Sequence, residues 1–537
     1  MAEAISPDYG QQFLFPPALE DWVASNHPAR FLREFVDELD LPSLGFAMPV
    51  VMEGRPPYAP SLLLKIWLYG YFQRIRSTRK LEAACKEQLP LLWLCGLLSP
   101  DHNSLWRFWR DNKKALRGVF RQTVRVAMET GAVGLALQAL DGTKIEAAAS
   151  SRSGWSKEYM EKVLAALDGA LDNIELKVME ENTQTSSSPT VSLPAGMADR
   201  KALREQIQKG LAQLAADKRN HYHPVEPEAR RMEVGNQNRF AYNAQAVVDT
   251  KEGIVVACQA TRQETDGNQL VPLIEQAQDN LGSAAAGTDR LTVADTGYGS
   301  GTDLQSATQK GYSVLVPPLC GNSCKDHPYA AHRFIYDEQS KSVTCPLGQP
   351  LDHEGQTTKR GQIVQRYRCH CQDCPVRQQC TTDPQGRRIE IWPHRPVVQA
   401  MQERLKQPQM AARYAQRYVV ERPFAQLKQH DGFRRWTVWG LAAVKAQWWM
   451  LCTTLNLRIL YRRWRTKFDP ANSAAATARV RQAKIKAPGE IDWLASKYSV
   501  LRIGKIILQK LIHLHQSLKL LPSGNLLREE PTRPMRF

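Results

Sequence analysis

The stretch that decides the fold of this chain is Tyr414-Ala-Gln-Arg417-Tyr-Val-Val-Glu421-Arg-Pro-Phe-Ala-Gln-Leu-Lys428. In a helix, residues three, four and seven positions apart share one face, so the four numbered residues line up together. A glutamate between two cations on a helix usually forms a solvated salt bridge. A functional role for Glu421 therefore requires acidic partners elsewhere, on strands that bring them close.

The length and charge of the chain narrow its class. Its 537 residues predict three or four structural units at roughly 150 residues each. The net charge of +17 and the pI near 9.4 predict a polyanionic partner, nucleic acid first and an anionic membrane second. The first ten residues lack the basic and apolar regions of a secretory signal, so we expect a cytoplasmic protein. The apolar segment 441–460 contains Lys445 and Arg458, which favours a buried helix over a membrane span.

The N-terminal quarter of the chain is predicted to be helical. Apolar residues recur at helical spacing in four segments: 28–39, 60–72, 79–89 and 104–128. From Lys65 to Arg125 there are 13 lysines and arginines against four acids, with Trp106 and Trp109 among them. The pattern is typical of a helix-turn-helix-like DNA-binding domain, and equally of a helical bundle with a solvated basic face.

The middle of the chain alternates strands and helices. Strands are predicted at 135–145, 239–249, 253–261, 290–294 and 312–316, and helices at 269–280 and 302–310. Asp266 is predicted to cap the first of these helices. The order predicts a mixed α/β sheet with Asp141 and Asp295 near its strand ends, where open sheets place functional side chains. Taken alone, Asp141-Gly could instead be a turn.

Two insertions interrupt this pattern. The segments 155–181 and 198–220 are amphipathic at helical spacing and flank the polar tip 183–196, which predicts an inserted helical hairpin. The second insertion is rich in cysteine, and seven of the 11 cysteines lie between residues 320 and 380. Without an export signal, such a cluster favours metal over disulfides.

Four of the clustered cysteines have spacing suited to a structural zinc site with closed tetrahedral coordination: Cys345, Cys371, Cys374 and Cys380. Cys371-Gln-Asp-Cys374 supplies the paired thiolates that a tight turn offers to zinc. Cys369 and His370 are competing ligands. Free thiols in a loop and a catalytic zinc centre are the alternatives.

Asp141, Asp295 and Glu421 together form a carboxylate triad in a basic chain. Carboxylate oxygens suit Mg²⁺, and two such ions support phosphodiester chemistry. On these residues the chain resembles the DDE transposases of bacterial insertion sequences, which have a ribonuclease-H-like core. Tyr414-x2-Arg417-x3-Glu421-x6-Lys428 is similar to the Y-R-E-K signature of one branch. The segments 140–144 and 294–298 resemble those that carry the two aspartates, and the N-terminal helical block and both insertions are similar to those of longer members.

This resemblance implies catalytic Asp141, Asp295 and Glu421 that bind two Mg²⁺ or Mn²⁺ ions. It implies hydrolysis at the ends of the element and attack of the freed 3′-hydroxyl on target DNA. The implied partners are double-stranded DNA, as terminal repeats and target, and a second copy of the chain in the DNA complex. The candidate DNA-contacting residues are Tyr414, Arg417, Lys428, Arg434 and Arg435. An inactive DNA-binding relic or regulator with the same fold is the alternative.

The predicted organisation has five parts: an N-terminal helical domain, 1–134; a catalytic core, 135–150 with 236–317 and 396–465; a helical insertion, 151–235; a Cys-rich, zinc-binding insertion, 318–395; and a basic C-terminal tail, 466–537. The fold class predicted is α/β, with a ribonuclease-H-like mixed sheet and an all-helical N-terminal region.

Overall fold

The computed structural model describes residues 18–48, 56–184, 195–282, 290–319 and 327–468. Cys320, Cys324, most of the predicted hairpin tip and nearly all of the predicted C-terminal tail lie outside these ranges. The described residues up to Arg465 form one compact unit. One hydrophobic core joins its N-terminal helices to its central sheet.

The N-terminal region is helical, as predicted. Its helices are α1 Pro28–Asp37, α2 Pro60–Phe72, α3 Thr78–Glu87, α4 Leu89–Leu94, α5 His102–Asp111 and α6 Leu116–Glu129. Proline opens α1 and α2 at the first helical position, where its missing N–H costs nothing. The single segment predicted at 104–128 is wrong, because it divides into α5 and α6. Buried Asn112 ends α5, donating to the Phe108 carbonyl and accepting from the Ala47 amide, both at 2.8 Å.

The central sheet is mixed. The strands of this part are β1 Leu137–Glu146, β2 Trp155–Ser156, β3 His221–Tyr222, β4 Arg230–Val234, β5 Gln237–Asp249, β6 Val255–Thr261, β7 Leu291–Ala294 and β8 Val314–Leu315. The order is β6-β5-β1-β7-β8, with β4 following β6 along the same edge of β5. The pairs β1–β5 and β5–β6 are antiparallel, whereas β1–β7 and β7–β8 are parallel. The ribonuclease-H-like fold class is therefore confirmed.

Four further helices accompany these strands: α7 Lys157–Gln184, α8 Ala195–Asp217, α9 Leu270–Leu281 and α10 Gly301–Gln309. Helices α7 and α8 form the predicted inserted hairpin. Met160, Ile207, Leu214 and Tyr222 give it a small core apart from the main one.

The Cys-rich region is a small antiparallel sheet. Its elements are β9 Ile335–Asp337, β10 Ser342–Thr344, β11 Pro350–Lys359, β12 Gln362–Arg368, the one-turn helix α11 Arg377–Cys380 and β13 Arg388–Ile391. The strand order is β13-β12-β11-β10-β9. We call residues 327–391 the Cys-rich unit. Its core is separate from the main one.

The helical stretch that includes Tyr414 to Lys428 follows this unit. It contains α12 Arg395–Lys406, α13 Pro408–Ala415, a 3-10 turn Gln416–Val420, α14 Glu421–Ala425 and a π turn Gln426–His430. The predicted break at Pro408 is confirmed. The predicted α-helix from Tyr414 to Lys428 is helical throughout, but it tightens before Glu421 and widens after it. Single π turns inside helices frequently mark functional sites.

The long helix α15, Leu441–Arg465, crosses the sheet and closes the core. Its Trp448 indole donates to the Gln245 carbonyl at 2.9 Å. Its buried Asn456 both accepts from the Val255 amide and donates to the Val255 carbonyl, each at 2.8 Å. The predicted buried helix is confirmed. Among the described residues, no helix is long and apolar enough to cross a membrane.

Candidate functional site

Asp141 lies in the middle of β1, which corrects the predicted position near the strand end. Pairing between β1 and β7 stops at Leu140 and Ala294, so Asp141 is the first β1 residue beyond the last parallel pair. The turn alternative for Asp141-Gly142 is also wrong, since β1 continues to Glu146. A side chain at Gly142 would collide with the Gln245 amide and lie 2.8 Å from an Asp266 oxygen. Glycine therefore leaves room for the polar groups beside Asp141.

Asp295 directly follows β7, as predicted. Its Oδ1 accepts from the Gly297 amide at 2.9 Å, which fixes the carboxylate at the start of a 3-10 turn. Because β1 and β7 are parallel neighbours, the ends of their paired segments bring Asp141 and Asp295 to the same edge of the sheet.

A third acid, Asp266, joins this edge, and sequence reasoning missed it. The predicted helix cap is wrong: α9 begins at Leu270, and Asp266 Oδ1 instead accepts from Asn243 Nδ2 and Gln245 Nε2, each at 2.7 Å. Asp266 Oδ2 lies 3.1 Å from where a side chain on Gly297 would begin. The signal available in the sequence was the pair of polar residues, Asn243 and Gln245, on the otherwise apolar strand β5.

The three aspartates create a region of concentrated negative charge, which Arg417 offsets in part. Burial and the neighbouring Asp295 and Asp266 raise the pKa of Asp141 to about 6. Burial and Asp266 likewise raise the pKa of Asp295. The pKa of the Tyr298 hydroxyl is raised by burial and by the same three carboxylates. The edge of the sheet is therefore a place where a cation would be stabilised.

Glu421 reaches this edge through Arg417. The Arg417 guanidinium donates to Asp141 Oδ2 at 3.1 Å and to Glu421 Oε1 at 3.4 Å. The Glu421 side chain is 59% exposed, whereas the Asp141 side chain is 17% exposed. The structure thus combines the salt bridge and the acidic partners that the sequence posed as alternatives: Glu421 pairs with Arg417, and Arg417 also pairs with Asp141.

The other candidate DNA-contacting residues surround this ion pair. Tyr414 is half-buried beside Arg417, and burial raises the pKa of its hydroxyl. Burial lowers the pKa of Lys428, while the nearby Asp141 opposes that shift. Arg434 is exposed and donates to the Lys428 carbonyl at 3.4 Å. Arg435 pairs with Glu146, at the end of β1, at 2.8 Å.

The donor set fits hard divalent cations, because it consists of carboxylate oxygens with excess negative charge. Within the described ranges, no three Asp, Glu, His or Cys side chains stand close enough to hold one metal ion. Arg417 supplies the positive charge at Asp141 in this conformation. Metal binding would therefore require Glu421 and Asp141 to exchange Arg417 for the cation.

A basic groove of about 670 Å³ lies beside the segment that follows Lys428. Helices α2, α3 and α5 form one side, and residues 437–443 form the other. Five lysines and arginines line it and no acid does: Arg74, Arg76, Lys80, Arg110 and Lys113. Trp106 and Trp439 are 50% and 64% exposed there. Cations with exposed indole rings suit a nucleic-acid backbone and bases.

The groove is tied to the helical stretch that contains Glu421 through Asp431. Arg74 pairs with the Asp431 carboxylate at 3.2 Å, and Arg76 donates to the Asp431 carbonyl at 3.0 Å. Gln426, in the π turn, donates to the same carboxylate at 3.2 Å. Buried Asp431 therefore joins the groove to the π turn that follows Glu421.

Comparison with known families agrees with this arrangement. A model described as a transposase DDE domain matches residues 344–461, which include Glu421 and the whole Y-R-E-K stretch. A model described as a transposase domain matches residues 17–111, the region of α1 to α5. Two separate segments of the chain are thus similar to transposase domains, which supports a DDE transposase of an insertion sequence. No curated protein matches this chain. Asp141 and Asp295 lie outside both matched ranges, so their assignment rests on the geometry of the sheet.

Proposed function

We propose that this transposase binds the ends of its insertion sequence, hydrolyses the DNA there and joins the freed 3′-hydroxyl to target DNA. The observation that carries the proposal is the Arg417 bridge, which connects Glu421 to Asp141 at the sheet edge beside Asp295. The three residues of the predicted triad come from segments up to 280 positions apart, from Asp141 to Glu421, and nothing in their local sequence requires them to meet.

Asp141, Asp295 and Glu421 would hold divalent cations, Mg²⁺ or Mn²⁺. When bound, such ions would activate the attacking oxygen and stabilise the leaving oxygen. With a cation held by Asp141, the Arg417 guanidinium would be free to leave that carboxylate. Together with Lys428 and Tyr414, it would then face the DNA phosphates, in the roles expected of the Y-R-E-K branch.

The basic groove would hold the DNA beside the cleavage site. Lys80 and Lys113 line it without an ion-pair partner among the described residues, so they are available for phosphates. Arg434 and Arg435 extend the basic surface towards the carboxylates. Trp439 would stack on a base or sugar. We also propose that the protein acts in the cytoplasm as a homodimer on the DNA. Its substrates would be double-stranded terminal repeats and double-stranded target DNA.

Replacing Trp439 by alanine tests the groove. We expect affinity for terminal-repeat DNA to fall by about 10- to 100-fold, because one stacking contact is worth about 1–3 kcal/mol. Fluorescence anisotropy at fixed salt measures the affinity. Tyr159→Ala is the matched control, because Tyr159 is 52% exposed on the helical insertion, away from the groove. Equal loss in both variants would refute the assignment of the groove.

The triad is tested with purified protein, Mg²⁺ and DNA carrying the repeats that flank the reading frame. Wild-type protein should cleave at the repeat and join it to a target plasmid. Asp141→Asn and Glu421→Gln should bind the DNA but neither cleave nor join it. Glu403→Gln is the control, because Glu403 is an exposed acid paired only with Lys406 among the described residues. Full activity in either triad variant would contradict the site.

A DNA-binding protein without catalysis is the second candidate. It is favoured by one observation: the described acids do not converge on a single metal position in this conformation. Repeat-specific binding without cleavage in Mg²⁺, Mn²⁺ or Ca²⁺, by the same preparation, would select this candidate.

A further inference from the structure

The cysteines of the Cys-rich unit line one cavity, although they come from two connections that are separate in the sequence. A cavity of about 30 Å³ is lined by all five described cysteines of the unit. Cys345 follows β10, Cys369 follows β12, and Cys380 ends α11. Cys371 and Cys374 lie in the connection after β12. The catalytic site uses none of these side chains.

The turn at Cys345 is built to present a thiolate. The Cys345 amide donates to the Gln349 carbonyl at 2.8 Å, and the Gly348 amide donates to the Cys345 carbonyl at 2.9 Å. The Gln349 amide then points at Cys345 Sγ, at 3.3 Å. A backbone N–H donated to sulfur stabilises the charged form of the sulfur. The turn is therefore arranged for an anionic ligand.

The second turn presents a pair of sulfurs. The Cys374 amide approaches the Cys371 carbonyl at 3.4 Å, so the two side chains project from one tight turn. Cys380 ends the one-turn helix α11, and its amide donates a hydrogen bond to the Val376 carbonyl at 3.0 Å. Two cysteines with two residues between them, and a third cysteine nearby, have a ligand spacing typical of zinc.

Arg387 supplies an independent observation. Its side chain lines the same cavity, and its buried Nε has no hydrogen-bond partner within the described part of the chain. A buried unpaired donor is costly. Thiolates held at the cavity would give this guanidinium a negative partner, whereas neutral thiols are weak acceptors.

The structure also decides between the competing ligands. His370 is directed away from the cavity and pairs with Asp352 at 3.2 Å, with both side chains about 70% exposed. Cys369 is 6% exposed and packs in the hydrophobic core of the unit. Cys369 serves as a buried apolar side chain and not as a ligand.

The Cys-rich unit is small enough that a bound metal ion would add to its stability. Its core has only seven buried side chains: Phe334, Val343, Leu351, Tyr367, Cys369, Ile389 and Ile391. A core this small supplies little stability by itself, and small domains commonly add a metal cross-link. Ligands from two segments would tie the turn after β10 to the connection between β12 and β13.

We propose that Cys345, Cys371, Cys374 and Cys380 bind one structural zinc ion. Zn²⁺ binding displaces four thiol protons to solvent and leaves a tetrathiolate centre with two net negative charges, which Arg387 faces. The thiols do not yet stand at ligand distance from a common point, so binding draws the two turns together. With four protein ligands the coordination is closed, and the zinc takes no part in catalysis.

The full-length protein, purified without chelator, tests the proposal. Metal analysis should find one zinc per chain, released by a thiol-specific reagent as four thiols react. Serine replacement of Cys345, Cys371, Cys374 or Cys380 should each reduce zinc content at least several-fold. Cys369→Ala is the matched control and should keep its zinc. Cobalt substitution of the unaltered chain should give the absorption of a tetrahedral thiolate site, which covers the case of variants that fail to fold.

Three outcomes would overturn the assignment: no zinc in the unaltered chain, a disulfide among these cysteines by mass spectrometry, or zinc that survives loss of one of the four ligands but not loss of Cys369. These measurements need no DNA. Failure of the zinc site and failure of the proposed transposition activity are therefore separate results.

Discussion

The acidic edge of the central sheet and the Cys-rich unit gather functional side chains in opposite ways. The acids come from β1, from the connections after β6 and β7, and from the helix at Glu421, and a large sheet with an extensive core positions the aspartates. The cysteines lie within 36 positions, from Cys345 to Cys380, around a core of seven side chains. The first region is held by its fold and strained by its charge. The second would depend on the proposed zinc ion for its stability.

The largest expected effect separates activity from stability. Asp295→Asn should reduce strand cleavage by about a thousandfold or more, because it removes one of three proposed metal ligands. The sheet beneath should be intact, since Asp295 lies after β7 and contributes no core contact. Cleavage kinetics, circular dichroism and zinc content measure the three properties. If this variant also lost zinc, the acidic edge and the Cys-rich unit would not be independent of each other.

The next effect is confined to the Cys-rich unit. Gly386 has a φ of 97°, and a side chain there would collide with the Cys369 carbonyl oxygen. Gly386→Ala should destabilise this unit by about 2–4 kcal/mol, the cost of a strained backbone and a displaced strand. Limited proteolysis should show cleavage within residues 327–391 while the central sheet stays protected. Gly361→Ala is the control for φ alone, because its φ is 74° with no neighbouring atom within 4 Å.

A third prediction concerns the strain at the acidic edge. Asp141 has its pKa raised from about 4 to about 6, so the folded state binds this proton more tightly than the unfolded state. The unfolding free energy therefore falls as pH rises from about 4 to about 6, and the loss persists at higher pH. Asp141→Asn should remove that loss, stabilising the protein at pH 7.5 by about 1–3 kcal/mol without added metal.

The same substitution should have little effect below pH 4, where Asp141 is protonated in both states. Urea denaturation at the two pH values, in buffer without Mg²⁺, measures the difference. Glu403→Gln again serves as the control, since its exposed ion pair should contribute less than about 1 kcal/mol at either pH. Destabilisation by Asp141→Asn at pH 7.5 would show that the Arg417 bridge outweighs the repulsion among the aspartates.

The smallest effect is expected at Asp266. Asp266→Asn keeps an oxygen to accept from Asn243 and Gln245 but removes one negative charge beside Asp141 and Asp295. We expect cleavage to fall by about tenfold, as for groups that support metal ligands, with stability nearly unchanged. Asp279→Asn is the control, because Asp279 is exposed and pairs with Arg121. Activity loss as large as that of Asp295→Asn would make Asp266 a metal ligand in its own right.

Much of this protein could be predicted from local pattern. Strand and helix periodicity predicted the mixed sheet, the inserted helical hairpin and the buried helix α15, because burial on one or both faces determines where apolar residues recur. The predicted position of Asp295 at the end of β7 is correct, since a short apolar segment followed by a glycine-rich turn is typical of a strand that ends at the turn. The spacing of the stretch from Tyr414 to Lys428 likewise predicted the shared face of Arg417 and Glu421.

Tertiary structure decided what depends on neighbours from distant parts of the chain. Asp141 lies inside β1 because β1 pairs with β5 as far as Glu146, and it lies beyond the last β7 pair because that pairing stops at Leu140. Local sequence contains neither neighbour. Asp266 became part of the site because Asn243 and Gln245 on β5 bind it in place of the backbone of α9. The Glu421 helix shows both contributions: its sequence alone determined which side chains share a face, while the fold decided that Arg417 on this face pairs with Asp141 as well as with Glu421.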